Sequence, residues 1–302
     1  MTTLAVTGAT GFIGRELLSA TRAAGWGVVP VLRSDFRSDR LGARLRGCDA
    51  VIHLAARAHV LRVRAAGEDT EFQRVNVQLT RDVAEAAVRA GVGRFVFVSS
   101  AGVLGRVSPL AGLDDSSEPA PHDAYTRSKL AAEEMLIGEF SRSMEIVVVR
   151  PPLVYGPGAP GNFDRLVKLV RRGWPLPLGA LRAPRSMVGL RNLCDLLCLA
   201  AVHPAAIGAR MLVADAEARC VTDLIRDIAV LLGRRVRLLA VPQSVLGAAM
   251  RVVGRGADFD RLAAPFVVVA RVATRELGWT PPHRQFDELA WALAAPEVQA
   301  NS

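Results

Sequence analysis

The sequence predicts an α/β protein with a doubly wound parallel sheet, followed by a smaller α/β lobe. Three observations support this. Short apolar strands alternate with segments of helical spacing through the first half of the 302 residues, and strands that are apolar on both faces belong to parallel sheets covered by helices. A glycine-rich turn, TGATGFIG, joins the first strand to the first helix. After Tyr155 the character of the chain changes, because glycine and proline accumulate there.

The elements of the first half follow one another as strand–helix units. The predicted strands are the apolar runs TLAVTG, WGVVPVLRS, CDAVIHLAA, GRFVFVSSAG and MEIVVVRPPLVYGPG. The predicted helices have apolar residues at helical spacing and cover residues 13–24, 72–90 and 125–140, the second of them ending at Gly91. We assign residues 1–155 to a dinucleotide-binding Rossmann domain on this pattern.

Residues 156–302 are predicted to form mainly a substrate-binding lobe over the carboxyl edge of the sheet. A helix over residues 162–172 follows the glycine- and proline-rich loop. Part of residues 186–205 is expected to pack back on the first domain.

Composition excludes several classes of function. The formal charge is +9, but the basic residues form no block with interleaved aromatics, so we expect no nucleic-acid partner. No apolar run reaches the roughly 18 residues that span a bilayer, and we expect a cytoplasmic protein without a membrane partner. The four cysteines and five histidines show no metal-ligand spacing, and no metal is predicted.

The glycine turn is the first functional signal. Gly8, Gly11 and Gly14 lie between the first strand and the first helix, spaced G-x-x-G-x-x-G. Glycines at such a turn allow a pyrophosphate to approach the backbone and the free N–H groups of the helix N-terminus. The position of the turn in a doubly wound pattern predicts a dinucleotide site.

The end of the second strand bears on the choice of cofactor. An acidic residue there would bind the ribose hydroxyls of NAD, but this chain has Leu32, Arg33 and Ser34, with Asp35 one step late. Arginine and serine suit a 2′-phosphate, so we favour NADP(H) and keep NAD(H) as an alternative. Asp39 is a candidate for the adenine contact.

YTRSK places Tyr125 and Lys129 four residues apart, on one face of a helix. A nearby ammonium and a positive nicotinamide ring would lower the pKa of the phenol toward the working range. Ser100 follows a strand at the edge of the sheet where doubly wound folds bind ligands, and it can hydrogen-bond the same substrate oxygen. These three residues are the predicted catalytic group.

The order of TGATGFIG, VIHLAA, FVSSAGVLG, YTRSK and RPPLVYGPG resembles that of the extended short-chain dehydrogenases/reductases. The resemblance covers nearly the whole chain and is greatest to the NAD-dependent epimerase/dehydratase branch. Within it, NFDRLVKLV, PLPLG and RSMVGLRNL are similar to UDP-hexose 4-epimerase-like proteins and 4-keto-sugar reductases of polysaccharide and O-antigen pathways.

This resemblance implies roles for further residues and a homodimer. Residues at the cofactor would be the following: Gly8, Gly11, Phe12, Ile13, Gly14, Arg33, Leu54, Ala55, Ala56, Ser99, Tyr125, Lys129, Pro152 and Leu153. Asn76 would brace the neighbouring helix. Ser100, Asn162, Arg185 and Arg261 would contact the substrate, the last three at a diphosphate, although a helix cap or a surface salt bridge is an alternative role for them.

The chain departs from the family at the positions that decide the reaction. Leu104 stands where the family commonly has a tyrosine, and Leu153 where it often has an asparagine. Ala101 and Gly102 replace the Asp-Glu pair that dehydratases need, which disfavours dehydration. The leading function is hydride transfer at C4 of a nucleotide-linked hexose, by a UDP-sugar 4-keto-reductase. The alternatives are a UDP-hexose 4-epimerase with tightly bound NAD, a reductase of a non-nucleotide ketone, and a non-catalytic NADP-sensing protein.

Overall fold

The computed structural model of the protein describes residues 1–37, 40–56 and 72–294. Their central element is a six-stranded, entirely parallel sheet with the strand order β2-β1-β3-β4-β6-β10. Its strands are β1 (Thr3–Thr7), β2 (Gly27–Val31), β3 (Ala50–His53), β4 (Arg94–Val98), β6 (Glu145–Arg150) and β10 (Arg210–Leu212). The predicted doubly wound α/β fold is confirmed.

Helices cover both faces of the sheet. Successive residues of a strand point to opposite faces, and here both sets are buried. Leu4 and Val6 of β1 pack with α1 (Phe12–Ala23) and α6 (Leu190–Val202). Ala5 of the same strand belongs to the core on the other face. That core includes α2 (Arg40–Leu45), α3 (Leu79–Arg89), which a π-helical turn at Gln73–Gln78 precedes, and α4 (Ala124–Phe140).

The second half of the chain contributes to the sheet and also builds a lobe beside it. The lobe has its own buried core around Tyr155, Phe163 and Ile225. Its helices are α5 (Asn162–Arg171), α7 (Val221–Leu231), α8 (Gln243–Val252), α9 (Gly256–Ala263) and α10 (Gln285–Ala294). Short strand pairs connect it: β7 (Leu153–Tyr155) with β9 (Met187–Gly189), β8 (Pro184–Arg185) with β11 (Arg219–Cys220), and β5 (Leu113–Asp114) with β12 (Val268–Val269).

The sheet topology places a crevice at the carboxyl ends of β1 and β3. The chain runs from β1 to β2 on one side and continues with β3 on the other side of β1. Ligands of doubly wound folds bind where the strand order reverses in this way. The glycine turn after β1 lies at this point.

Candidate active site

The glycine turn packs too closely against its neighbours for side chains. Gly8 has φ +67°, and a Cβ on it would lie 2.9 Å from the backbone nitrogen of Ala55. A Cβ on Gly14 would lie 2.3 Å from the carbonyl oxygen of Gly8. The Gly11 amide closes the turn by donating to the same carbonyl at 2.9 Å. The turn therefore has the bare backbone and the helix N-terminus that a pyrophosphate requires, and it packs against the backbone of Leu54 and Ala55. That these residues and Ala56 line the cofactor cleft stays a prediction.

A buried chain of hydrogen bonds makes the wall of this crevice rigid. The Ala55 amide donates to Thr7 Oγ1 at 3.2 Å, and this hydroxyl lies 2.8 Å from His53 Nδ1. His53 Nε2 lies 3.1 Å from Thr80 Oγ1, which donates to the carbonyl of Asn76. Every donor and acceptor in this chain of hydrogen bonds is paired only if the His53 ring is neutral and carries its proton on Nε2. Burial, and then the charge of Lys129, lower the pKa of His53 to about 3, which agrees with a neutral ring.

At the end of β2, the carboxylate of Asp35 points away from the surface. Asp35 is 3% exposed, and its Oδ2 accepts from the Leu32 amide at 2.8 Å and lies 3.6 Å from Arg44 Nε. Arg33 and Ser34 are exposed on the same turn. The side chains available to a ribose at this place are therefore basic and hydroxylic. Asp39, the candidate for the adenine contact, lies outside the described residues.

The predicted catalytic helix begins at a fully formed cap. Asp123 accepts from the Thr126 amide at 2.8 Å, and Thr126 Oγ1 accepts from the Asp123 amide at 3.1 Å. This capping box fixes the first turn of α4, and Tyr125 lies in that turn. The ring of Tyr125 contacts Phe72 edge-on with centroids 6.2 Å apart. Asn76 is buried and donates to Ser128 Oγ at 2.9 Å, so its side chain contacts α4, as the bracing role requires.

Lys129 is buried one turn after Tyr125. Its Nζ donates to the Val98 carbonyl at 2.8 Å and lies 4.5 Å from the centre of the Phe97 ring. Burial lowers the pKa of Lys129 to about 7, and the charge of Glu133 partly offsets this. Burial raises the pKa of Tyr125 to about 12, and Asp123 adds to the rise. The protein's own groups therefore raise the pKa of Tyr125, because desolvation of the phenolate is the largest effect on it. The predicted lowering includes the charge of a nicotinamide ring and stays a prediction.

Ser100 lies half-buried at the end of β4, just before a short 3₁₀ helix over Ala101–Leu104. Its Oγ accepts from the Gly102 amide at 3.1 Å, so the hydroxyl proton remains available to a substrate oxygen. Ser99, predicted at the cofactor, is 3% exposed and donates its hydroxyl to Glu133. Its side chain therefore points into the protein, and only its backbone remains for a cofactor. Pro152 is half-buried and Leu153 is exposed where β6 passes into β7.

The three predicted diphosphate ligands have different surroundings. Asn162 is exposed at the first position of α5. Arg261 is exposed on α9. Burial lowers the pKa of His122, three residues before Tyr125, and the charges of Arg106 and Arg261 add to this. Arg185 donates from Nη1 to the carbonyls of Arg261 at 2.6 Å and Ala264 at 2.8 Å. Arg185 thus braces the end of α9, the capping role that we gave as its alternative.

Sequence reasoning missed the buried charges under the site. Glu133 and Arg150 form an ion pair with Nη2–Oε2 at 2.6 Å, and neither is more than 1% exposed. Two signals were present: a carboxylate four residues after Lys129, and an arginine at the end of the apolar strand EIVVVR. Within the described residues, no group of three or more His, Cys, Asp or Glu side chains could hold a metal ion. No helix among them is long and apolar enough to cross a bilayer.

The comparisons with known proteins agree with this geometry. The family model of the NAD-dependent epimerase/dehydratase family matches residues 4–214. The UDP-glucose 4-epimerase of Vibrio cholerae is 34% identical over 296 residues, which are 92% of this chain and 90% of that protein. The structure of MoeE5 with UDP-glucose and NAD is 26% identical, has a TM-score of 0.76, and covers 96% of this chain and 97% of its own.

A further structure matches in fold alone. RMD from Pseudomonas aeruginosa, complexed with NADPH, is 22% identical with a TM-score of 0.76 and covers 96% of this chain and 98% of its own. The glycine turn, the six-stranded parallel sheet and the matched family model together establish the relationship. The chain is an enzyme of the short-chain dehydrogenase/reductase type and belongs to the NAD-dependent epimerase/dehydratase family.

Proposed function

We propose that the protein reduces the 4-keto group of a UDP-linked hexose with NADPH, using Ser100, Tyr125 and Lys129. The observation that carries the proposal is the pairing of two features at one sheet edge. Tyr125 lies on α4 with Lys129 one turn later, and Lys129 Nζ donates to the Val98 carbonyl, two residues before Ser100, whose hydroxyl proton is available. At the end of β2, the same edge presents Arg33 and Ser34 while Asp35 points inward.

The protein's own groups perform the proton chemistry of this reaction. The glycine turn would hold the dinucleotide, which would supply the hydride. Ser100 donates a hydrogen bond to the substrate carbonyl and orients it. Tyr125 is protonated before the dinucleotide binds, since its pKa is about 12. It gives this proton to the carbonyl oxygen of the substrate as negative charge develops there. Lys129 in its charged form stabilises the phenolate that remains.

Recognition of a nucleotide diphosphate rests on the lobe. Asn162 at the start of α5 and Arg261 on α9 are exposed polar groups. The guanidinium of Arg261 is a charged donor of the kind that binds phosphates, and the Asn162 amide is a neutral one. The names of the relatives support the class of substrate, since the V. cholerae protein is a UDP-glucose 4-epimerase and MoeE5 is complexed with UDP-glucose. Arg185 contributes by holding α9 in place.

A second candidate is a UDP-hexose 4-epimerase that retains NAD. The identity to the V. cholerae UDP-glucose 4-epimerase over nearly the whole chain favours it. The inward direction of Asp35 argues against it, because Asp35 is the described carboxylate at the end of β2 and its Oδ2 is turned to the Leu32 amide instead of to the ribose hydroxyls of NAD.

The purified protein distinguishes the two candidates. We expect no nucleotide to be released on denaturation, and we expect NADPH oxidation at 340 nm when a UDP-linked 4-keto-6-deoxyhexose is added. Stoichiometric NAD in the released nucleotide, with interconversion of UDP-glucose and UDP-galactose without added cofactor, would establish the epimerase instead. Oxidation of NADPH by simple ketones, with no binding of UDP in calorimetry, would remove the nucleotide sugar from the proposal.

A further inference from the structure

A completely buried ion pair lies under the predicted catalytic residues. Glu133 of α4 is 0% exposed and Arg150 at the end of β6 is 1% exposed. The pair is bidentate, with Arg150 Nε 3.1 Å from Oε1 and Nη2 2.6 Å from Oε2. Burying two charges is expensive even when they are paired, so the fold keeps this pair at a site where apolar residues would pack with less penalty.

Glu133 connects three elements that carry the active residues. It lies four residues after Lys129, on the same face of α4. Ser99 Oγ donates to it from the end of β4, next to Ser100. The Ser99 amide in turn donates to Val149 of β6 at 2.8 Å, one residue before Arg150. One carboxylate thus holds the helix with Tyr125 and Lys129 against the two strand ends that face them.

We propose that Glu133, anchored by Arg150 and Ser99, is a positioning residue that keeps Lys129 charged and in place beneath Tyr125. The role of Glu133 in catalysis rests on the proposed function. Its effect on the charge of Lys129 does not. Glu133 does not touch the reacting atoms. It acts through Lys129, whose Nζ is fixed by the Val98 carbonyl and the Phe97 ring.

The charges around Lys129 explain why a carboxylate is needed. His53 of β3 is neutral, and its pKa is lowered in part by the charge of Lys129. Tyr125 on the same helix is neutral with a pKa of about 12. Arg150 of β6 is a cation bound to Glu133. Asp123, before the first turn of α4, is an anion that acts on Tyr125. Among the described residues, Glu133 is the anion whose charge opposes the desolvation that brings the pKa of Lys129 to about 7.

The lysine content of the chain allows a direct test, since Lys129 and Lys168 are the only two lysines. Protein labelled with ¹³C at the lysine ε-carbon gives two resonances, which a Lys168→Arg variant assigns. In Glu133→Gln we expect the titration midpoint of Lys129 to fall by roughly one pH unit or more. Lys168 is exposed on α5 and paired with Asp164 at 2.8 Å, so its resonance serves as the internal control. An unchanged Lys129 midpoint in Glu133→Gln would overturn the proposal.

Two further variants separate charge from folding. Glu133→Asp keeps the charge on a shorter side chain, and its Lys129 midpoint should stay closer to the wild-type value even if the melting temperature falls. The double variant Glu133→Gln/Arg150→Met leaves no orphaned guanidinium and serves where the single variant does not fold. Its Lys129 midpoint should also fall, by less than in the single variant because the Arg150 charge is lost as well, and a midpoint at or above the wild-type value would contradict the proposal.

Kinetics connect the inference to the reaction. In Glu133→Gln, the alkaline limb of the kcat profile for NADPH-dependent reduction should move to lower pH in parallel with the lysine resonance, whereas a purely structural defect would lower kcat equally at all pH values. If no ketone is reduced by the wild type, the proposed function fails while the lysine titration still decides the role of Glu133.

Discussion

The phenol of Tyr125 is protonated in the protein without a bound dinucleotide, since burial raises its pKa to about 12. That state suits an acid in ketone reduction, and Tyr125→Phe removes the proton without removing the ring that contacts Phe72. We expect kcat to fall by about 10²-fold or more, with the Kd for NADPH nearly unchanged in a fluorescence titration. Tyr155→Phe, the same change at the only other tyrosine, should retain activity below its melting temperature. Activity like that of the wild type in Tyr125→Phe would reject the mechanism.

The pH dependence of reduction follows from Lys129 rather than from Tyr125. The pKa of Lys129 is about 7 and that of Tyr125 about 12. As the pH rises through 7, the lysine loses its charge while the tyrosine keeps its proton, so the phenolate formed in the reaction loses its stabilising cation. We expect kcat for reduction to decrease from pH 6 to pH 8. An increase over this range in steady-state assays would contradict the assigned role of Lys129.

Arg33 should decide between the two dinucleotides. It is exposed at the end of β2 beside Ser34, and the nearby carboxylate of Asp35 is turned inward. Arg33→Ala should raise the KM for NADPH by about tenfold or more and leave the KM for NADH nearly unchanged, because only NADPH carries the 2′-phosphate that a guanidinium binds. Arg22→Ala, at the far end of α1, makes the same change in net charge and should alter neither KM. A parallel rise in both KM values for Arg33→Ala would remove the phosphate contact.

The β1–α1 turn tolerates no methyl group at its third glycine. A Cβ on Gly14 would lie 2.3 Å from the Gly8 carbonyl oxygen and 2.7 Å from Ala9 Cα, and backbone atoms cannot move aside as side chains can. Gly14→Ala should weaken dinucleotide binding at least tenfold and lower the melting temperature. Gly138→Ala is the matched control, since a Cβ on this exposed helical glycine of α4 meets nothing within 4 Å and should stabilise the protein by about 0.5–1 kcal/mol. Equal binding in the two variants would exclude close packing as the reason for Gly14.

Elements with a local pattern were predicted well from the sequence, and contacts between distant elements were not. The spacing of apolar residues placed helices at 13–24 and 125–140, and the structure has them at Phe12–Ala23 and Ala124–Phe140. Periodicity indicates which residues of a helix face inward, but it does not say which strand residue each one meets. The bond from Ser99 to Glu133 and the pair of Glu133 with Arg150 depend on how α4 lies across β4 and β6. Asp35 shows the same limit, since its inward direction follows from a bond to the Leu32 amide.

At the scale of the whole molecule, a buried polar joint connects the sheet, the lobe and the C-terminal helix. The carboxylate of Asp215, in the loop after β10, accepts from Tyr155 Oη at 2.6 Å, from the Gly189 amide at 3.0 Å and from Asn192 Nδ2 at 2.8 Å. Asn192 also exchanges two hydrogen bonds of 2.9 Å with the backbone of His283, ahead of α10. The residues of this joint come from positions 155 to 283, so it forms only when distant segments of the second half of the chain have come together.

The joint should therefore control the stability of the entire protein rather than that of one lobe. Burial raises the pKa of Asp215, and the three donors oppose the rise. Tyr155→Phe keeps the ring against Phe163, 5.6 Å away between centroids, but removes one hydrogen bond to a charged group, worth about 1.5–3 kcal/mol. We expect the urea midpoint to fall by a corresponding amount, with fluorescence and circular dichroism still giving one transition. Asp215→Ala should lower it further, because three buried donors lose their acceptor at once. Two separate transitions in either variant would show that the lobe unfolds independently of the sheet, and that the joint does not couple them.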